Sequence, residues 1–241
     1  MADILEELAA LRREDSASLA KVRDFADAFR GPGIHIIAEV KKASPSEGVI
    51  REDFDPVAIA RAYAAQGAAA ISVLCEPHRF LGSDHYLEAI RRVVEIPVLY
   101  KDFITTPFQI LRARACGADA CLLIAALLDD AKLMSLLDVV HSLGMQALVE
   151  THTEDEIIRA VQAGAKVIGV NCRDLRTFKT DPSITAKLIA NIPDNVVKIA
   201  ESGIKTREDI LKIRSAGADG FLIGTTLMRA PDPGAKLEEF Q

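Results

Sequence analysis

No run of residues in this sequence is long and apolar enough to cross a membrane. The longest, ACLLIAALL, falls well short of the ~20 residues a spanning helix needs. The opening stretch, MADILEELAALRRED, is amphipathic and acidic, without the basic and apolar regions of a signal peptide. Basic residues are not in excess: 29 Lys and Arg face 35 Asp and Glu, a formal net charge of −6. That argues against a nucleic-acid binder. It leaves room for an anionic small molecule, because the local field counts for more than the total. The four cysteines, Cys75, Cys116, Cys121 and Cys172, have no C-x-x-C spacing and read as buried free thiols. The five histidines, His35, His78, His85, His141 and His152, show no ligand spacing such as H-E-x-x-H. Glycine-rich nucleotide loops, a nucleophile elbow and a Ser/His/Asp arrangement are also missing. These absences predict a cytoplasmic protein without metal, organic cofactor, membrane or nucleic acid, acting as a monomer or weak homo-oligomer.

What is present is a repeated phrase. QGAAAISVL begins at Gln66, CGADACLLI at Cys116, AGAKVIGV at Ala163 and AGADGFLIG at Ala216. Each has Gly-Ala, two residues, then an apolar run. The pattern predicts a helix stopped by a left-handed glycine, a short loop and a buried strand. Near-continuous apolar strands suit a parallel sheet covered by helices. Eight strands are predicted, over 34–40, 69–74, 97–102, 119–124, 145–150, 167–171, 196–201 and 220–224. Helical patterns lie between them. Asp55-Pro56 reads as N-cap and first helical position. Leu133, Leu136, Leu137 and Val140 share one helix face. Thr153 with Glu156 has capping-box spacing, and Thr206 with Asp209 repeats it in a weaker form.

Eight strands alternating with helices in 241 residues predict an α/β fold, a single (β/α)8 TIM barrel of the usual size of about 250 residues. A doubly wound open sheet is the main alternative, and would more often show a glycine-rich loop after its first strand. No Pro- or Ser-rich linker divides the chain, so residues 1–241 read as one domain. Residues 1–33 form a helical extension capping the barrel, and 34–241 form the barrel.

In such a barrel the chemistry sits at the C-terminal ends of the strands. The first strand ends in Glu39 and Lys41, which share a face, and the third in Lys101 and Asp102. The fifth ends in Glu150, the sixth in Asn171 followed by Arg173, and the seventh in Glu201. Any one of these could simply mark a strand surfacing into water. Charges of both signs recurring at one pole of five strands point instead to a common cage, since Lys and Glu are rarely buried unless paired or functional. Asp102, Glu76 and Lys42 are placed outside it, and His152 reads as a surface or capping residue. Ser44-Pro45-Ser46 opens a mobile loop over the cage. Ser202-Gly203 after the seventh strand and Gly224-Thr225 after the eighth predict a phosphate site, with Ser44 and Lys41 in reach. Phe80 and Phe103, near strand ends, could pack on a ring substrate or in the core.

At this point the motifs resemble a known family. IIAEVKKASPSEG, AAISVL, FLGS, PVLYKDFI, GADACLLIAALLDD, LVETHT, IGVNCRDL, IAESGI and FLIGTTLMRAPDP run in order from Ile36 to Pro233. They are similar to those of indole-3-glycerol phosphate synthases of tryptophan biosynthesis. The resemblance implies closure of an indole ring on 1-(2-carboxyphenylamino)-1-deoxyribulose 5-phosphate, with loss of carbon dioxide and water and no cofactor. It implies Lys101 as general acid, Glu150 as the carboxylate for proton removal or dehydration, and Lys41 as a second lysine on the substrate. Which lysine acts in which step stays open. Glu39, Asn171 and Glu201 match orienting groups, and Arg173 a partner for the anthranilate carboxylate. Ser202, Gly203, Gly224 and Thr225 match the phosphate loops. Phe80, Phe103, Leu122 and Leu175 match the apolar slot for the ring. A lysine is a weak acid at its ordinary pKa near 10.4, so its neighbours must tune it.

Three departures stand out. The segment before the first strand is shorter than the family carries at the anthranilate end. Tryptophan is absent, so a cap there must use other apolar residues. Thr225 stands where the family often has serine or an acidic residue. The competing readings are phosphoribosylanthranilate isomerase, which would use a cysteine and an aspartate, and a barrel that only binds a phosphate metabolite. Cys75 does not end the first strand, and the isomerase leaves the Glu39/Lys41 pair unexplained.

Overall fold

The computed structural model describes residues 21–173 and 182–241; residues 1–20 of the expected cap and Leu175 of the expected slot lie outside the described residues. The described residues form ten strands: β1 (His35–Val40), β2 (Ala43–Ser44), β3 (Gly48–Val49), β4 (Ala70–Leu74), β5 (Val98–Lys101), β6 (Ala120–Ile124), β7 (Gln146–Thr151), β8 (Val167–Asn171), β9 (Val197–Glu201) and β10 (Gly220–Ile223). Eight of them close a parallel barrel in the order β1-β10-β9-β8-β7-β6-β5-β4, with β4 back on β1. This is the (β/α)8 architecture. The two extra strands form a small antiparallel hairpin where a loop was expected after β1. It forms because Gly48 takes a φ of +66°, letting the chain turn back on Ser44.

The helices between strands are α1 (Pro56–Ala65), α2 (Asp84–Arg91), α3 (Pro107–Ala115), α4 (Asp130–Ser142), α5 (Glu154–Gln162), α6 (Pro182–Ile189) and α7 (Arg207–Arg214). Two short ones, α8 (Thr225–Met228) and α9 (Pro233–Glu238), end the chain. The caps follow local chemistry. Asp55 accepts from the N–H groups of Val57 and Ala58, both at 3.0 Å. Thr206 and Asp209 form a complete capping box. The Thr153 box is only half made: Thr153 accepts from Glu156, but the Glu156 carboxylate turns to the N–H of His152 at 2.7 Å. The weaker of the two sequence signals therefore forms the better box. The glycines of the repeated phrase, Gly67, Gly117, Gly164 and Gly217, all have positive φ, as helix stops require. Among the described residues no helix is long and apolar enough to cross a membrane.

The core has two layers. Between sheet and helices lie residues such as Ile36, Tyr63, Leu87, Leu133, Leu136, Leu137 and Val140. Inside the barrel, strand alternation points Ile37, Ala70, Leu99, Ala120, Leu148, Ile199 and Leu222 at the axis. The N-terminal mouth is plugged by Phe25 and Phe29, edge to face at 5.1 Å between centroids. A Cβ on Gly220 would come within 2.7 Å of the Phe29 ring, so β10 begins with the residue that makes room for it. Backbone N–H groups of Arg23 and Ala26 bond the side chains of Asp119 and Gln146, at the feet of β6 and β7. The described part of the cap thus closes the barrel's bottom, not the pole where the charged strand ends lie.

Phe29→Ala should cost about 3–5 kcal/mol, the usual loss for emptying a buried aromatic site. Urea unfolding with an unchanged slope measures it; a loss below about 1 kcal/mol would mean that the plug adds little to the core.

Candidate active site

The same alternation that makes the barrel floor apolar carries charges to its rim. Two residues beyond Ile37 stands Glu39, beyond Leu99 Lys101, beyond Leu148 Glu150, and beyond Ile199 Glu201. All four point where their apolar predecessors point. They face an open cavity of about 1080 Å³ at the C-terminal pole.

The carboxyls of Glu39 and Glu201 are buried, the lysines partly so, and they are paired. Lys41 Nζ lies 2.6 Å from Glu39 Oε2. Lys101 Nζ lies 3.4 Å from Glu39 Oε1 and 3.2 Å from Glu201 Oε2. Burial opposes ionisation of Glu39, but the two lysines outweigh it and hold its pKa at about 2. Burial also opposes the charge on Lys101, yet Glu201, Glu39 and Glu150 outweigh it and push its pKa above the ordinary lysine value. The neighbours therefore keep Lys101 protonated rather than easing its deprotonation. Glu201 is pushed up, first by burial and then, against the pull of Lys101, by the nearby Glu150 carboxylate. The cage thus holds an ionised carboxylate, a loaded ammonium and a carboxyl that resists ionisation within a few ångström.

Two glycines make the cage possible. A Cβ on Gly169, in β8, would sit 2.1 Å from Glu201 Oε1, and one on Gly224 would sit 2.0 Å from Glu39 Oε2. Gly224 was read as a phosphate-loop residue, and Gly169 was not singled out at all. A glycine inside an apolar strand, here in VIGVN, is the signal of a close approach that could have found it.

The other predicted residues surround this cage. Ser44, Asn171, Arg173, Ser202, Gly203, Gly224, Thr225, Phe80, Phe103 and Leu122 all line the cavity with Glu39, Lys41, Lys101, Glu150 and Glu201. Phe80 and Phe103 form an aromatic wall, tilted at 43° with centroids 6.2 Å apart. Glu76 and Asp102, placed outside the cage by the sequence reading, are also on the wall. Glu76 accepts from the N–H groups of His78, Arg79 and Phe80 and so shapes the turn that presents Phe80. Ser202 and Gly203 both take positive φ, of +64° and +73°. Thr226 Oγ1 donates to Ile204 O at 2.9 Å and ties the loop after β9 to the one after β10.

The hairpin after β1 is held over the cavity from three sides. Ala43 N–H bonds Phe80 O at 3.2 Å, Arg173 Nη1 reaches Ser46 Oγ at 3.5 Å, and Glu47 pairs with Arg229. Arg229 lies inside the FLIGTTLMRAPDP motif, four residues past Thr225, but only the fold shows that it reaches Glu47. Among the described residues no group of three His, Cys, Asp or Glu could hold a metal ion. None of the four cysteines is in a disulfide; Cys75, Cys121 and Cys172 are buried and Cys116 is partly so.

In Gly169→Ala the Glu201 carboxylate has to move, so the 3.2 Å pair with Lys101 should open, at an overpacking cost of about 1–3 kcal/mol. A crystal structure of the variant with that pair unchanged would contradict this account of the glycine.

Residues 3–240 match the model of the family described as indole-3-glycerol phosphate synthase. The chain is 52% identical over 206 residues to the indole-3-glycerol phosphate synthase of Carboxydothermus hydrogenoformans, covering 85% of this chain and 78% of that protein. It is 51% identical over 231 residues to that of Mycolicibacterium gilvum, covering 92% and 85%. Among solved structures it resembles 3-hexulose-6-phosphate synthase from Salmonella typhimurium, with a TM-score of 0.70 at 16% identity, over 86% of this chain and 96% of that one. Thiamine phosphate pyrophosphorylase from Pyrococcus furiosus follows, with a TM-score of 0.66 at 14% identity, over 90% and 96%. At such identities these two likenesses speak for the barrel alone, whereas the closer sequence matches settle descent: this chain belongs to the indole-3-glycerol phosphate synthase family.

Proposed function

We propose that the cage of Glu39, Lys41, Lys101, Glu150 and Glu201 carries out the family's reaction, with Lys101 and Glu150 as the proton-transferring pair. The activity is that of a carboxy-lyase of tryptophan biosynthesis acting on a small phosphorylated substrate. 1-(2-Carboxyphenylamino)-1-deoxyribulose 5-phosphate closes to indole-3-glycerol phosphate and loses carbon dioxide and water. The observation that carries the assignment is the Lys101 ammonium set between the Glu39 and Glu201 carboxyls, in a cavity that Glu150, an aromatic wall and two glycine-bearing loops also line.

Each step asks for a group that the cage holds. The ring carbon bearing the carboxylate attacks the sugar carbonyl, and the carbonyl oxygen takes a proton from Lys101. Carbon dioxide then leaves, and its bonding pair restores the aromatic ring. The new hydroxyl departs as water with a proton from Lys41. Glu150 takes the carbon-bound proton whose loss completes the indole. Lys101 suits the first step because its neighbours keep it charged, so an emerging alkoxide always meets a loaded donor. Glu39, ionised throughout the working range, holds both lysines in place. Arg173 faces the anthranilate carboxylate, Phe80, Phe103 and Leu122 hold the ring, and Ser202, Gly203, Gly224 and Thr225, with Ser44 nearby, hold the phosphate.

Chelator-treated protein incubated with the substrate should produce indole absorbance and fluorescence; silence with substrate bound would reduce the barrel to a binding protein. Lys101→Ala should lower kcat by about 10²–10⁴-fold with the fold intact, and near-normal turnover would refute its role. Glu150→Gln should lower kcat far more than it raises KM, whereas a change in KM alone would contradict proton transfer.

A further inference from the structure

His152 is a buried titratable group beside the cage to which the reaction assigns no part. It follows Glu150 by two residues, at the end of the same strand and the start of the loop into α5. Its ring is not on the surface: the side chain is 15% exposed, and both ring nitrogens are buried. Nε2 lies 3.5 Å from Glu150 Oε1, and Nδ1 lies 3.5 Å from Glu156 Oε2. These are ion-pair separations, too long and too poorly directed for good hydrogen bonds. The ring thus stands between two carboxylates, one on either nitrogen.

That arrangement has a consequence for the proton count. A neutral imidazole has one N–H and one bare lone pair. With a carboxylate on each side, the lone pair would face negative charge in a buried place. The doubly protonated ring presents an N–H to both. Burial works against that charge, but Glu156, Glu150 and, further off, Glu201 outweigh it and raise the ring's pKa above the ordinary histidine value. Burial likewise pushes Glu156 up, but His152 and Arg159 pull it below the ordinary carboxylate value. The charged groups facing the ring are therefore Glu150 on its own strand, Glu156 in the first turn of α5 and Glu201 on β9. Glu154 and Asp155 in that turn are exposed.

The incomplete capping box has its explanation here. Glu156 does not return to Thr153 because its carboxylate bonds the His152 N–H at 2.7 Å and faces the His152 ring. One side chain thus closes the first turn of α5 and backs the imidazole.

We infer that His152 is a positioning residue for Glu150: clamped by Glu156, its imidazolium holds the Glu150 carboxylate from the side opposite the cage. The inference rests on Glu150 being the proton-transferring carboxylate. A cation on that side orients the carboxylate toward the substrate.

Three measurements test this on the full chain. In the wild type, nitrogen-15 NMR of the imidazole should show it titrating above 6.5 and falling in Glu156→Gln; a ring already neutral at pH 6.5 would overturn the inference without any variant. In His152→Asn kcat should fall about tenfold with KM little changed, because a misaligned Glu150 slows proton transfer without weakening binding. Glu156→Gln should lower kcat the same way by less. An unchanged kcat in both variants would leave His152 a packing residue. A rise in KM alone would make it a substrate contact. Should Glu150→Gln retain normal turnover, the reading of Glu150 fails instead, and the imidazole titration still reports on the clamp.

Discussion

Lys101 between Glu39 and Glu201 is the interaction on which the rest of this structure turns. A buried ammonium is costly to desolvate, and a single carboxylate at its side compensates only part of that cost. Here β1 and β9 bring a carboxylate each to within 3.4 Å, and β5 supplies the lysine between them. Closure of the barrel makes this possible, since the three strands are not neighbours in the sheet and meet only across its axis. The same closure leaves little room. The cage requires a missing side chain at Gly169 and another at Gly224, each where a Cβ would collide with a carboxylate oxygen.

The two poles of the barrel divide the work. At the N-terminal mouth, Phe25 and Phe29 fill the axis and the interior stays apolar. At the C-terminal mouth, the same strand faces present charge. A packed floor excludes water from beneath the cage and anchors the strands that carry it, so the charged side chains start from a rigid base. Above them the hairpin is tied to the loops after β4, β8 and β10, so the parts that meet the aromatic ring, the carboxylate and the phosphate are mechanically joined.

Electrostatics at the site works by loading rather than by weakening. The sequence reading asks only that Lys101 be tuned by its neighbours. The direction is upward, because Glu201, Glu39 and Glu150 together outweigh burial. A general acid of this kind waits protonated, and its proton moves when the substrate oxygen becomes basic enough to take it. His152 extends the same logic outward, with one more cation behind one more carboxylate.

Much of this was legible in the chain. The apolar runs after each Gly-Ala phrase locate the strands, because a strand covered on both faces has to be apolar along its length. Alternation along each strand then determines that Glu39, Lys101, Glu150, Asn171 and Glu201 share the inner face at one pole, since successive side chains point to opposite sides. Other features were settled only by the tertiary structure. Whether His152 lies in water or between two carboxylates depends on how α5 packs against β7, and local pattern is blind to that. The choice of Glu156 between Thr153 and His152, the reach of Arg229 to Glu47, and the pole that Phe25 and Phe29 close are all contacts between segments far apart in sequence or in competition for one partner. The sequence by itself determined which residues face inward, because backbone geometry has a period of two. Only the closed barrel decided their distances and charge states, because these depend on what the other strands bring across the axis.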